Sequence, residues 1–145
     1  MIGSLRNPNV VAVANRLRDA GFNVFDDWMA SGEKGDEYWQ QYEQARGRGY
    51  VEALSEGEAA EHQFGFDKRH LEAADVGVLV YPAGKSAHME LGWLLGKGKK
   101  GYVLLDKVPE RWDLMLKLAD GVFTDVPELM EELDWIKSDI KQNPA

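Results

Sequence analysis

The side chains best suited to chemistry follow the most hydrophobic stretch of the chain, residues 76–80. Gly84 and Ser86 lie in the turn after it, at the start of a predicted helix over 87–96. Free backbone N–H groups at a helix start can bind an anion or a sugar hydroxyl. Glu90 lies about one helical turn deeper, with its side chain leaning back toward that end. The pattern offers a carboxylate beside a ligand site, although a capping Ser86 and a Glu90 that only favours the helix dipole also explain it.

Two polar clusters follow shorter hydrophobic segments near the start of the chain. Ser4 and Arg6 come after a brief apolar opening, and they could hold a phosphate or a 5′-hydroxyl, with the guanidinium as a fork. The alternative is a turn with a surface arginine. Asp27 and Trp28 follow a predicted strand over 22–25. The indole at this position could stack on a planar base.

A second acid and three histidines complete the set of candidate groups. Asp67 lies in a predicted helix over 58–74, and it reaches the strand ends only if the helix starts near it. The histidines lack the spacing of a metal motif such as H-E-x-x-H, so no metal site is predicted. His88 lies two residues before Glu90 and could contact a substrate. The glycines fit neither a P-loop nor G-x-G-x-x-G, and no cofactor is predicted.

Strand and helix patterns alternate about five times along the chain, which predicts an α/β fold. The run at 76–81 is apolar on both faces, as expected for a central parallel strand. We therefore predict one domain over residues 1–145, a doubly wound, Rossmann-like parallel sheet of about five strands with flanking helices. Ligands of such sheets bind beyond the carboxyl ends of the strands. The polar clusters described above all fall at that edge.

Residues 29–57 have a different character from the rest of the chain. They are polar, rich in glycine and glutamate, and carry several tyrosine and tryptophan side chains. Their weak periodicity predicts a long, aromatic-rich loop or lid, with a helix as an option over 36–46. The aromatic rings could stack on a base or form a small core beneath the loop.

Composition excludes several classes of partner. The 145 residues include no cysteine, carry a net charge of -8 and are 44% hydrophobic. A chain without cysteine has no disulfide or thiolate metal site, and an acidic chain lacks the basic field that nucleic acid polymers require. No apolar run approaches the roughly 18–20 residues of a membrane span, and no signal pattern opens the chain. We expect a cytoplasmic protein that binds neither nucleic acid polymers nor membranes.

The order of the polar clusters resembles the nucleoside 2-deoxyribosyltransferase family and the related nucleotide N-glycosidases. The opening strand of that family runs into Gly-Ser-Leu/Ile-Arg, as residues 3–6 do here, and its second strand ends in an acidic–aromatic pair like Asp27-Trp28. The core pattern of the family has its counterparts here in Asp67, Ala74-Asp75, Val76 to Val80, Glu90-Leu91-Gly92 and Gly96-Lys97. The resemblance covers roughly residues 1–28 and 66–105.

This resemblance implies covalent catalysis at the anomeric carbon of a nucleoside or nucleotide sugar. Glu90 would be the nucleophile, since a carboxylate stabilises an oxocarbenium-like transition state and then traps it. Asp67 would protonate the leaving base or orient the sugar, which requires a raised pKa. The remaining candidates would bind the substrate at its 5′ end or its base: Ser4, Arg6, Asp27, Trp28, Gly84, Ser86 and His88.

The chain departs from the family pattern in the loop before the nucleophile. The transferases carry an aspartate there, whereas this chain has Gly84-Lys85-Ser86. This loop is closer to that of the nucleotide hydrolases, where a hydroxyl and a cation meet phosphate. Nucleoside or 5′-monophosphate, and transfer or hydrolysis, therefore stay open. The departure also leaves a non-catalytic nucleotide-sensing module as the alternative function.

The resemblance also implies a homo-oligomer. The predicted C-terminal helix over 126–141 has an apolar stripe that could contact a second subunit or its own sheet: Leu129, Leu133, Trp135 and Ile136. Membership of a larger assembly is a third hypothesis, and this stripe is its only support in the sequence.

Overall fold

A parallel three-stranded sheet forms the centre of the computed structural model, which describes residues 1–142. Its strands are β1 (Val76–Val80), β2 (Lys100–Leu104) and β3 (Gly121–Phe123), in the order β1-β2-β3. Val78 pairs with Tyr102, and Tyr102 pairs with Gly121. Consecutive parallel strands need crossover connections, and α5 supplies the one between β1 and β2.

The described part of the chain contains six α-helices. They are α1 (Asn9–Asp19), α2 (Gly35–Ala45), α3 (Tyr50–Glu56), α4 (Glu58–Ala73), α5 (Lys85–Gly96) and α6 (Val126–Gln142). Two short 3₁₀ helices cover Asp27–Ser31 and Leu114–Leu118. No helix within residues 1–142 is long and apolar enough to cross a membrane.

Alternating side chains of the strands divide the core into two layers. Val78 and Tyr102 pack with buried residues of α1 and α6 on one face. Leu79 and Val103 pack with buried residues of α5 on the other face. Successive side chains of a strand point to opposite faces, so strands that are hydrophobic throughout must be covered on both sides. The expected α/β fold with helices flanking a parallel sheet is confirmed.

The predicted number of strands is wrong, because the first two segments pair too briefly. Ile2 forms a single parallel bridge with Leu79, and its backbone bonds to β1 do not continue into a ladder. The segment 22–25 has no assigned strand, although the Met1 amino group donates to the carbonyl of Phe25 at 2.9 Å. The sheet therefore has three strands rather than about five, with the Ile2 segment beside β1 and the segment 22–25 next to Met1.

Residues 29–57 are mostly helical rather than a loop. The end of the first 3₁₀ helix, α2 and α3 lie in this segment, and α2 packs on α4. Helix α2 is as amphipathic as α1, although the residue that it buries fully is the charged Glu43. Tyr38 and Tyr50 are exposed, so these two rings do not form a core beneath the segment.

The Glu43 carboxylate joins α2 to the start of α4. Glu43 is 1% exposed. Its Oε1 accepts from the backbone N–H groups of Ala59 and Ala60, and its Oε2 accepts from Arg48 at 2.7 Å. Burial raises the pKa of this carboxyl, but these donors outweigh it and hold the pKa below its ordinary value. The first turn of α4 is thus capped by a side chain from another helix.

Replacing Glu43 with alanine is expected to lower the Tm by several degrees. The change leaves the Arg48 guanidinium and the N–H groups of Ala59 and Ala60 without their carboxylate, and breaking a buried pair is costly. Thermal unfolding followed by circular dichroism measures the effect, with the exposed Glu61→Ala as the control. Equal Tm values for the two variants would contradict this role for Glu43.

The apolar stripe of the C-terminal helix packs on its own sheet. Leu129, Leu133 and Ile136 of α6 are buried in the layer that covers β1 and β2. Trp135 points away from that layer and is 63% exposed. The stripe is therefore occupied within the chain and gives no support to a subunit contact.

Candidate functional site

A buried asparagine fastens the first loop to the end of β1. Asn7 is 3% exposed, and its Nδ2 lies 3.4 Å from the carbonyl oxygens of both Val80 and Pro82. Its Oδ1 accepts from the backbone N–H of Asn9 at 3.0 Å, which starts α1. One side chain therefore holds loop 3–7 beside the loop that leads from β1 into α5. This brings the two predicted ligand-binding loops to one edge of the sheet.

The polar side chains of the first loop are already engaged. The Oγ of Ser4 accepts from the backbone N–H of Arg6 at 3.2 Å. The Arg6 guanidinium lies 4.0 Å from the Glu37 carboxylate, and both side chains are largely exposed. Arg6 can therefore meet an anion only in competition with Glu37. An exposed pair of this kind is worth little energy, so that competition is mild.

The helix that carries Glu90 starts two residues earlier than its sequence suggests. Gly84 is the N-cap residue of α5, in an extended conformation. Ser86 lies inside the first turn, is exposed, and makes no capping hydrogen bond. The predicted Ser86 cap is wrong, because Lys85 already has helical geometry. The Ser86 hydroxyl and the exposed Lys85 both lie at the start of α5.

His88 stabilises the loop rather than facing solvent freely. Its Nδ1 lies 2.6 Å from the carbonyl of Gly84, and its Nε2 lies 2.7 Å from the Tyr81 hydroxyl. A carbonyl only accepts, so Nδ1 carries a proton, and in a neutral ring Nε2 accepts from Tyr81. Burial and Asp113 raise the pKa of Tyr81, which keeps its hydroxyl protonated as that donor. His88 thus closes the turn between β1 and α5.

Glu90 and Asp67 form an interacting pair of acids between α4 and α5. Burial, and after it the negative charge of Asp67, raise the pKa of Glu90 to about 7. Burial also raises the pKa of Asp67, against the effect of Gln63, whose Nε2 lies 3.3 Å from both carboxylate oxygens. Burial disfavours the charge of both acids, and the charge of Asp67 also disfavours ionisation of Glu90, so Glu90 keeps its proton to near neutral pH. The sequence-predicted catalytic residues are therefore brought together.

Asp36, at the start of α2, joins this pair as a third negative charge. It raises the pKa values of both Glu90 and Asp67. The amino group of Met1 acts in the opposite direction on Glu90. Within residues 1–142, no group of three or more His, Asp or Glu side chains has the arrangement of a metal site.

Trp28 is half-buried against the core, and Asp27 is exposed at the surface. The Trp28 indole N–H donates to the carbonyl of Met1 at 3.1 Å, and its ring packs against the core layer of α1. Asp27 is exposed at the start of its 3₁₀ helix. The indole is half-buried, so only part of its ring is open to a ligand.

Two surface cavities lie at different ends of the sheet. One of about 560 Å³ is lined by Leu5, Arg6, Pro8 and Met29 among others, and it borders the first loop. The other, of about 440 Å³, is lined by Gly92, Gly98 and Lys100 among others. This second cavity lies at the amino ends of the strands, away from Glu90. Of the candidate residues, Arg6 lines the first cavity, and neither Glu90 nor Asp67 does.

No protein-family model, no curated protein and no solved structure matches this chain. The case for any function therefore rests on the residues of the chain itself.

Three residues near the site carry no signal in the sequence that would single them out. In the sequence, Asn7 has the features of a turn residue after Arg6, and its long-range hydrogen bonds cannot be predicted without the fold. Tyr81 has the features of the last residue of a strand, and its hydrogen bond to His88 cannot be predicted from them. Asp36 lies in the polar segment 29–57, and only the packing of α2 on α4 brings it near Asp67.

Proposed function

We propose that this chain cleaves or transfers the N-glycosidic bond of deoxynucleosides, nucleosides or their 5′-monophosphates, with Glu90 as nucleophile. The observation that carries the proposal is the pair formed by Glu90 and Asp67. Two acids with raised pKa values, beside loops that follow strand ends, suit a reaction that needs both a nucleophile and a proton donor. The resemblance to the deoxyribosyltransferases assigns the same two residues.

The first step requires the proton on Asp67 and the negative charge on Glu90 once the substrate is bound. The ionised Glu90 carboxylate attacks the anomeric carbon, and the bond from that carbon to the base nitrogen breaks. The base leaves with the bonding electron pair and takes a proton from Asp67. The products of this step are a glycosyl ester on Glu90, a free base and an Asp67 carboxylate.

The second step restores the enzyme. A water molecule or a second base attacks the anomeric carbon of the ester, and Glu90 leaves as a carboxylate. Asp67 accepts the proton that the incoming nucleophile loses. Water gives hydrolysis and a second base gives transfer, and the same two carboxyl groups serve both outcomes.

The loops at the strand ends have matching roles in substrate binding. The Ser86 hydroxyl and Lys85 at the start of α5 are exposed and available to the 5′ end of the sugar. Arg6, in the first loop, supplies a second cation to the substrate when its ion pair with Glu37 opens. The cavity beside Arg6 and Met29 is large enough for a planar base, at about 560 Å³.

A chromatographic assay for free base tests this proposal. The panel contains deoxyribonucleosides, ribonucleosides and their 5′-monophosphates, each with and without a second base. Wild type is compared with Glu90→Gln and with Glu131→Gln, an exposed residue of α6 on the opposite face of the sheet. Base release by wild type and Glu131→Gln alone supports the proposal, and a requirement for the second base identifies a transferase.

A nucleotide-binding module without turnover is the second candidate. The observation that favours it is the loop Gly84-Lys85-Ser86, which has no acid where the transferases carry an aspartate. Nucleotide that binds to the protein and is recovered intact after long incubation, with no base released from any member of the panel, would support this function over catalysis.

A further inference from the structure

The connection between β2 and β3 leaves part of one sheet face uncovered. Parallel strands are usually joined by a helix that packs on the sheet, but the regular structure within residues 105–120 is only the 3₁₀ helix Leu114–Leu118. Val122 of β3 pairs in register with Val103 of β2, so both side chains lie on the face that α5 covers. Val103 is fully buried there, whereas Val122 is 41% exposed. The layer formed by α5 therefore ends before β3.

The 3₁₀ helix beside β3 exposes most of its own apolar side chains. Such a helix has three residues per turn, so its side chains form three rows. One row, Leu116 with Ala119, packs on the core layer of α5. The other two rows present exposed apolar side chains: Leu114, Met115 and Leu118. The Asp113 carboxylate caps this helix by accepting from the N–H of Met115 at 2.9 Å, so the exposed rows have a defined arrangement.

Two residues that precede this helix extend its exposed surface. Trp112 is 83% exposed, and Val108 is exposed as well. We call the following five side chains the apolar patch: Val108, Trp112, Leu114, Met115 and Leu118. They expose on the order of several hundred Å², comparable with the roughly 800 Å² that each partner buries in a standard interface. Leu118 also lines the cavity of about 440 Å³ beside α5, so a recess borders the patch.

The charges around the apolar patch favour a second copy of this chain as its partner. Segment 106–120 carries four acidic and three basic residues, so it is close to neutral in a chain of net charge -8. Elsewhere on the surface the excess of acids opposes the approach of another copy. Glu110 and Arg111 are neighbours of opposite charge, and neither forms an ion pair within residues 1–142. In a two-fold contact each of them can face the opposite charge of the other copy.

We propose that two copies of this chain associate through the apolar patch as a two-fold symmetric dimer. A two-fold contact uses the same residues of both copies, so both patches are covered at once. Each copy thereby supplies the cover that the short connection does not give to β3 of its partner. The inference goes beyond the proposed function and does not depend on it, because no residue of the patch is among the candidate site residues.

Sedimentation velocity of the full chain over a micromolar concentration series tests this inference. Wild type is compared with Leu114→Glu and with Leu54→Glu, the matched control, since Leu54 is an exposed leucine of α3 outside the patch. We expect wild type to sediment as a dimer. Leu114→Glu should raise the Kd of that dimer by about tenfold or more, because each symmetric contact then buries two carboxylates. Leu54→Glu adds the same charge and should leave the Kd unchanged.

Chemical cross-linking gives a second readout that does not depend on a charged substitution. The sequence contains no cysteine, so a bismaleimide can join two copies only through a cysteine that is introduced. We expect Met115→Cys and Leu118→Cys to give covalent dimer at a concentration at which Leu54→Cys gives little. All three side chains are exposed, so the substitutions leave the core intact.

Three results would overturn the inference. The first is a wild type that remains monomeric throughout the concentration series. The second is a Kd that changes equally, or not at all, in Leu114→Glu and Leu54→Glu, with equal cross-linking at the three cysteines, since the contact then lies elsewhere. The third is a monomer that floats with vesicles of phosphatidylcholine and phosphatidylserine and loses this binding in Trp112→Ala, which would make the patch a membrane contact.

Discussion

Glu90→Gln is expected to reduce base release by about a thousandfold or more. The amide cannot form the glycosyl ester, and loss of a nucleophile removes an interaction that exists only along the reaction path. The substitution keeps the size of the side chain and its place in α5. The measurement is kcat/KM on the best substrate of the panel, by chromatography of the free base.

The pH profile of wild type distinguishes the two roles that Glu90 could play. Burial raises the pKa of Glu90 to about 7, so the ionised nucleophile accumulates only as the pH rises through that value. The acidic limb of kcat/KM should therefore rise toward a midpoint near pH 7. Activity that falls over the same range would make Glu90 the proton donor. A loss of less than about tenfold in Glu90→Gln would exclude both roles.

Glu90→Gln is also expected to stabilise the protein at alkaline pH and not at acidic pH. The native pKa of about 7 lies above the ordinary value of 4.5. Below 4.5 both the native and the unfolded states hold the proton. Between 4.5 and 7 the native state keeps a proton that the unfolded state releases. Stability therefore falls as the pH rises through this window, and above it the native state holds a half-buried charge.

The size of the effect follows from the shift. A displacement from 4.5 to about 7 corresponds to roughly 3 kcal/mol of stability, lost by pH 8 and restored by the uncharged amide. Urea unfolding of wild type and Glu90→Gln at pH 4.5, 6 and 8 measures it. Because the other titrating groups are common to both proteins, the difference isolates Glu90. A difference that stays constant across the three pH values would contradict the raised pKa.

The strongest hydrophobic segments predict the elements that the structure contains. Residues 76–80 form β1 because an unbroken run of valine and leucine suits a strand covered on both faces. The helix that carries Glu90 also follows from the sequence, with an error of two residues at its start. These elements depend on local pattern, and local pattern is what a sequence displays.

The elements that depend on distant partners are those that the sequence does not predict. Helix α2 buries the charged Glu43, whose partners Arg48 and the start of α4 lie outside the helix. The brief pairing of Ile2 with Leu79 depends on two segments far apart in the chain. Asp36 becomes part of the site only through such packing. The pairing of Glu90 with Asp67 came from the resemblance, since their spacing alone does not require it.

The bond between Asn7 and Val80 joins residues 73 positions apart in the chain. Bringing such distant segments together costs loop-closure entropy, whereas β1, α5 and β2 are neighbours in sequence. The N-terminal loop is thus expected to dock late in folding and to detach at a lower free energy than the central strands. Detachment would carry away Ser4 and Arg6 and leave Glu90 in place. Binding groups on both sides of the site would then coexist only while this loop is docked, and a ligand that contacts both the loop and the start of α5 would hold it in place.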